Sequence, residues 1–317
     1  MDEFSLIQTY FQGLSCRRAD VVLGIGDDAA CLEVPLGHQL LVSSDTLVAD
    51  VHFCADWDAY DIAYRAVMVN VSDIAAMAGN PCWLTLALTL PSLDNLWLTR
   101  FSKGLSDAMQ LFNLELIGGD TTRGPLSLTL TIHGTVPRDS AIRRCGARPH
   151  DKIYISGDIG AAAFAVELLD KRDYSDVEKA VLMKKLLHPK PRVDLTPILR
   201  RYASAAIDIS DGLNADLNHI CVASQVAACL FLERIPMHPL VKKYKADKAL
   251  DFVLSGGDDY ELCFTVSPSN EPLFLNAIAE GGLHCHCVGV IESGCGLRGQ
   301  LATGESYALP VLGYRHF

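Results

Sequence analysis

The chain has 317 residues, 27 lysines and arginines against 38 aspartates and glutamates, and a formal net charge of −11. At about 150 residues per domain the length suggests two domains and supports a buried core. The 50% apolar and 21% charged content is that of a globular protein and excludes large-scale disorder. An acidic chain lacks the electrostatic footprint of nonspecific nucleic-acid binding, yet it can bind a polyanion that arrives with metal ions. The opening Met1-Asp2-Glu3 is acidic and no basic segment with an apolar run follows it, so no secretory signal peptide is expected. No stretch approaches the ~20 apolar residues that span a bilayer. Eleven cysteines, an odd number scattered through a chain of this length, fit a reducing cytoplasm better than a disulfide framework.

In chain order, the apolar pattern predicts a strand over 40–48 and a long helix over 59–78, rich in good helix formers. A strand over 84–90 alternates Leu with Thr or Ala and stops at Pro91. A helix follows over 95–112, a strand over 114–117, and a strictly alternating strand over 126–136. Alternation implies a sheet covered on one face only. The polar, basic stretch 137–150 is the expected boundary, giving domains 1–140 and 141–317. Beyond it, strands are expected at 152–156, 205–209, 263–266 and 285–291, with an Ala-rich helix after Gly160 and another from Leu213. The fold class is α+β in two domains.

The aspartates are placed more informatively than they are numbered. They fall in six clusters: Gly24-Ile25-Gly26-Asp27-Asp28, Ser43-Ser44-Asp45-Thr46, Asn70 with Asp73, Gly118-Gly119-Asp120, Asp208-Ile209-Ser210-Asp211-Gly212, and Gly256-Gly257-Asp258-Asp259. Five are expected at a strand end or in a Gly-containing turn, and Asn70 and Asp73 share a helix face. One Asp-Gly pair alone reads equally as a turn. Six beside apolar strands are harder to explain so, because Asp is depleted from strands and costly to bury unpaired. If they converge, their repulsion needs cations or protons. Hard oxygen ligands without a His/Cys set point to Mg²⁺, which keeps waters and phosphate oxygens in its shell, and hence to a phosphate substrate such as a nucleotide. Neither a Gly-x-x-x-x-Gly-Lys-Ser/Thr loop nor a kinase Gly-rich loop is present. Arg123, Arg143, Arg144 and Lys152 are candidates to supply positive charge. His284-Cys285-His286-Cys287 invites a zinc reading, but in a strand its cysteines face one way and its histidines the other, and no CxxC pair completes a site.

These blocks, in this order, resemble the thiamine-monophosphate kinase family of the aminoimidazole ribonucleotide synthetase-like superfamily. The resemblance runs nearly end to end and is most specific over Gly118-Gly119-Asp120-Thr121-Thr122-Arg123-Gly124-Pro125. It implies a homodimer whose N-terminal sheets close into a shared barrel, an N-terminal domain that binds ATP and Mg²⁺ and dimerises, and a C-terminal domain completing an active-site cleft. The implied reaction is direct in-line transfer of the ATP γ-phosphoryl to thiamine monophosphate, assisted by several Mg²⁺ ions. By motif position, Asp28, Ser43, Ser44, Asp45, Asp73, Asp120, Asp208 and Asp211 would hold magnesium. Gly119, Asp120, Arg144 and Ser210 would contact ATP. His52, Asp258 and Tyr314 would contact thiamine phosphate, and Asp45, Asp120 and Asp211 would carry the catalytic charge. Four positions depart from the family pattern: Asp258 for Glu, Ser44 for Thr, Asp50 for Gly or Glu, and His150 for Gly. A related ligase that phosphorylates an amide oxygen, or a silent binding protein, are the alternatives to such a kinase.

Overall fold

A computed structural model describes residues 3–14, 18–169, 174–245 and 248–309. The chain divides into two compact units, Met1–Ala75 with Gly79–Ser140, and Ala76–Ala78 with Ala141–Phe317.

The first unit contains α1 (Glu3–Tyr10), β1 (Val21–Leu23), β2 (Cys31–Leu32), β3 (His38–Val48), α2 (Ala59–Ala76), β4 (Asn80–Leu90), α3 (Asn95–Gln110), β5 (Glu115–Arg123) and β6 (Ser127–Pro137). Its four-stranded sheet has the order β3-β6-β4-β5 and is open, with β3 and β5 as edges. Only β4 and β5 run parallel. Alternation along β6 puts Leu128, Leu130 and Ile132 on a fully buried face, continued by Leu84, Leu86 and Leu88 of β4. Helix α2 lies on that face: a side chain at Gly134 of β6 would strike Ile74 at 2.7 Å. The opposite face is a half-exposed field of small hydroxyl residues, with Thr46 and Thr129 2.8 Å apart and Ser44 and Thr131 2.9 Å apart. Helix α3 starts where Asp94 accepts hydrogen bonds from the Leu96 and Trp97 amides.

Three strands run beyond the ends that their apolar pattern suggests. β4 begins at Asn80 and takes in Pro81, which lacks an N–H and sits where the β4–β6 register shifts. β5 does not end at Ile117 but runs on through Gly118-Gly119-Asp120, and β3 likewise carries Ser43–Thr46 within its length. The acidic blocks expected at the ends of these strands are therefore inside them.

The second unit contains β7 (Lys152–Ile155), α4 (Ala161–Leu168), α5 (Asp176–Leu187), α6 (Thr196–Tyr202), β8 (Ala203–Asp208), α7 (Leu213–Ser224), β9 (Ala227–Phe231), α8 (Pro239–Tyr244), α9 (Ala249–Leu254), β10 (Leu262–Val266), α10 (Glu271–Glu280), β11 (His286–Glu292), β12 (Gly296–Gln300) and β13 (Ser306–Tyr307). Among the described residues these strands form one mixed sheet, ordered β13-β12-β9-β11-β7-β10-β8. Both faces are covered. Ile153, Ile155 and Ile207 pack with Leu213, Leu217 and Ile220 of α7, while Tyr154, Ala206 and Phe264 pack with Leu199 of α6 and Phe274 and Ile278 of α10. Burying each such Leu, Ile or Phe contributes roughly 1.5–3 kcal/mol. Cys285 and Cys287 pack against this second core while His284 and His286 are exposed, the division that alternation requires. The cysteines among the described residues are free thiols.

Candidate active site

In the first unit the pleat of β3 turns Ser43 and Asp45 toward α2 and Ser44 away from it. Ser43 Oγ donates to Asp73 Oδ2 at 2.5 Å. Burial, and then the nearby charge of Asp73, push the Asp45 carboxyl up to about 6. Ser43, Asp45 and Asp73 thus form one cluster on the helix-covered face. One helical turn before Asp73, Asn70 is fully buried, with its Nδ2 donating to the Ala66 carbonyl at 2.9 Å and its Oδ1 without a hydrogen-bond partner.

Other expected ligands stand apart from this cluster. Ser44 spends its hydroxyl on the Leu130 carbonyl and Thr131 on the opposite face. Asp120 occupies the row Thr46–Thr129–Ala87–Asp120, next to the row Asp45–Leu130–Leu86–Gly119. It is on the far edge strand, three strand spacings or about 14 Å from β3. Asp28 is exposed, its amide donating to Asp27 Oδ1 at 2.8 Å. Gly119 has φ 151°, and a Cβ there would lie 1.8 Å from the Leu86 carbonyl oxygen, so only glycine lets β5 continue beside β4. His52 closes the turn after β3, its Nδ1 accepting from the Val48 amide at 3.1 Å.

In the second unit, β8 delivers Asp208 to the sheet edge, where the chain turns through Ile209-Ser210-Asp211-Gly212 into α7. Asp216, in the first turn of α7, is 2% exposed and accepts from the Ser210 and Asp211 amides, both at 3.1 Å. Burial, followed by the charges of Asp208 and Asp211, drives its carboxyl up to about 8. Asp216 was not singled out from sequence; its only signal there is an acid in a first helical turn after Asp-Gly, the place where carboxylates meet free amides. Asp258 joins this edge, its amide donating to the Ser210 carbonyl at 2.8 Å and its Oδ1 accepting from the Tyr260 hydroxyl at 3.1 Å. Gly257 permits that approach, because a Cβ there would lie 2.1 Å from the Ser210 carbonyl oxygen. Arg144 is exposed, its backbone fixed by Ser224 Oγ, which donates to its carbonyl at 3.1 Å. Tyr314 lies outside the described residues. Asp50, His150 and Asp258, three of the positions that depart from the family pattern, all have positive φ, at 61°, 80° and 68°.

Among the described residues no three His, Cys, Asp or Glu side chains are arranged to hold a metal ion alone. Each unit instead offers a small carboxylate group under mutual repulsion. Such a donor set suits an ion that takes one or two carboxylates and completes its shell with water and phosphate oxygens, as Mg²⁺ does.

A family described as "AIR synthase related protein, N-terminal domain" matches residues 26–136. Thiamine-monophosphate kinase of Escherichia coli K12 is 46% identical, over 99% of this chain and 98% of its own. The chain belongs to the thiamine-monophosphate kinase family. The crystal structure of thiamine-monophosphate kinase from Stenotrophomonas maltophilia K279a superposes with a TM-score of 0.84 at 41% identity, covering 91% of this chain and 92% of that one. A further member of this kinase family, AaThiL complexed with AMPPCP and TMP, gives a TM-score of 0.79 at 30% identity and 92% coverage of both chains. The two-domain α+β architecture is that of the superfamily.

Proposed function

We propose that this chain is a kinase that transfers the γ-phosphoryl group of ATP directly, in line, to thiamine monophosphate, giving thiamine diphosphate and ADP. The observation that carries this reading is the end-to-end match, 46% identity over 99% of the chain, to a thiamine-monophosphate kinase. The relative complexed with AMPPCP and TMP supports the same pair of reactants.

Both reactants are anionic phosphates, so positioning and charge neutralisation dominate the barrier. The acceptor is a phosphate monoester, largely ionised near neutral pH because its second pKa is about 6, and needs no strong general base. Several Mg²⁺ ions, when bound, supply the screening of phosphate charge and the clamp on the transferring group. Asp45 and Asp73 with Ser43 would hold magnesium from one unit, and Asp208 and Asp211 from the other, with Asp28, Ser44 and Asp120 as further ligands. The elevated Asp45 carboxyl and the orphaned Asn70 Oδ1 fit a neighbouring cation. Gly119, Asp120, Arg144 and Ser210 would contact ATP; His52, Asp258 and Tyr314 would contact the thiamine phosphate. Asp45, Asp120 and Asp211 would carry the charge that catalysis requires. Residues 1–140 would bind ATP and dimerise, and residues 141–317 would complete the cleft.

The open sheet supports a homodimer with a shared barrel: β3 is an edge strand, and its Leu40 and Val42 are 46% and 57% exposed in the single chain. No described helix is long and apolar enough to cross a membrane, which suits the proposed cytoplasmic enzyme. The test is a turnover assay in which product is oxidised to a fluorescent thiochrome and separated. ATP- and Mg²⁺-dependent thiamine diphosphate from the monophosphate, but not from free thiamine, is expected. Absence of product from folded, ATP-binding protein would discard the reading.

A further inference from the structure

Three strand ends meet at one edge of the second unit. β7 and β8 finish there, and β10, antiparallel to both and lying between them, begins there. Glu261, the residue before β10, is tied to each of them. Its carbonyl accepts from the Ile209 amide at 2.8 Å, just past β8. Its Oε2 accepts from Ser156 Oγ, just past β7, at 2.5 Å and from Arg192 Nη1 at 3.2 Å. The same Ser156 hydroxyl accepts from the Leu262 amide at 2.7 Å. Arg192 also donates to the Ser156 carbonyl and forks onto Asp194 at 3.0 and 2.9 Å. The Arg192 and Glu261 side chains are only 15% and 12% exposed. Burial opposes the guanidinium charge, yet the Asp194 and Glu261 carboxylates outweigh it and hold the Arg192 pKa above its usual value. The turn after β7 is shaped around this carboxylate, since a Cβ on Gly157 would lie 2.5 Å from Glu261 Oε1.

The segment leading into Glu261 is strained. Asp258 and Tyr260 have φ of 68° and 52°, left-handed backbone that non-glycine residues adopt only at a steric cost. It persists because the Asp258 and Tyr260 amides are held by the Ser210 and Ile209 carbonyls at 2.8 and 2.9 Å, with Glu261 fixing the end of the strip. Ser210 and Asp211 are secured separately by Asp216, which accepts from their amides. Asp216 thus secures the Ser210 side of this junction and Glu261 the 258–260 side, with the bond from the Asp258 amide to the Ser210 carbonyl joining the two.

We propose that Glu261, with Arg192 and Ser156, is a positioning residue that locks the strained 258–260 segment and so sets where Asp258 meets the acceptor, thiamine monophosphate. The inference rests on the phosphotransfer reading above. Glu261 is turned into the sheet edge and acts through Asp258.

The test uses the full chain with Glu261→Gln, which keeps the shape and removes the charge, and measures amide hydrogen exchange together with both Michaelis constants. Losing a charged hydrogen bond is expected to speed exchange at the Asp258 and Tyr260 amides about tenfold. Exchange in β9 and β11 should stay unchanged. KM for thiamine monophosphate should rise about tenfold while KM for ATP stays within about twofold. Unchanged exchange, or faster exchange with equal rises in both constants, would overturn the proposal. Should Glu261→Gln not fold, Ser156→Ala removes one hydroxyl of the same clamp and must move the same two readouts in the same direction. A wild-type protein that makes no thiamine diphosphate would overturn the functional reading itself; an active wild type with an indifferent Glu261→Gln would overturn only the clamp.

Discussion

At the scale of single residues, Asp45 serves two opposed demands. Burial and the charge of Asp73 raise its carboxyl to about 6, so the ionised form that would hold magnesium destabilises the metal-free fold near neutral pH. The folded pKa lies above the unfolded one, so this penalty is absent below about pH 4, grows as pH rises toward 6 and is complete above it. Asp45→Asn is therefore expected to raise Tm in metal-free buffer at pH 7.5 and to leave it nearly unchanged at pH 4, with a ceiling of about 3 kcal/mol. The same variant should lower kcat by ~10²-fold or more, through lost stabilisation of transition-state charge. Thermal scans at both pH values and a turnover assay check both halves; a destabilised variant with full activity would sink the cluster. This cluster was only half legible in the sequence. Spacing set Asn70 and Asp73 on one helix face, and the motif blocks pointed to Asp45. The parting of Ser44 from Ser43 and Asp45 follows from β3 running on to Val48, because in a strand neighbours face opposite ways. Asp216 was not legible, since nothing local says that an acid in a first helical turn will be buried beneath two amides.

At the scale of elements, alternation marked β6 and the core of β4, and the same rule divided Cys285 and Cys287 from His284 and His286. It could not reveal that β5 continues through two glycines, which carry no side-chain period. That continuation depends on Gly119, and Gly119→Ala would force a Cβ against the Leu86 carbonyl oxygen at 1.8 Å. The expected cost is about 2 kcal/mol or more, read as a lower urea midpoint; an unchanged midpoint would mean that β5 does not pass Leu86 this way. β9 escaped notice because Ala227-Ala228-Cys229-Leu230-Phe231 is short and opens on alanines. Helix α5 makes a separate prediction. Glu178 is held down to about 2, first by the hydrogen bond from Lys243 and then by those from Ser175 and Tyr244. A depressed carboxylate stabilises the fold above its unfolded pKa, 4.5, and loses that contribution as pH falls toward 2. Glu178→Gln should accordingly lower Tm at pH 6, with the difference from wild type shrinking between pH 4.5 and 2.5. A difference independent of pH would assign the effect to packing.

At the scale of the whole molecule, the open sheet of the first unit bears on assembly. An edge strand with exposed Leu40 and Val42, beside a half-exposed hydroxyl face, is expected to be covered by a second copy. Light scattering should give about twice the 34.5 kDa chain mass, and a persistent monomer at micromolar concentration would contradict the shared barrel. The order of motifs along the chain carried the family likeness from end to end, and the relative matched over 99% of the chain bears that likeness out. Pairing partners across edges could not be read, since register is a property of contacts far apart in sequence.

The central claim, transfer from ATP to a phosphate acceptor, is tested most directly by following the wild-type reaction with ³¹P NMR in the presence of Mg²⁺, ATP and thiamine monophosphate. The account predicts that the acceptor's monoester signal and the ATP γ signal decline together. The paired diphosphate signals of thiamine diphosphate should grow in step with ADP, without orthophosphate. Orthophosphate accumulating while thiamine monophosphate stays intact would contradict it.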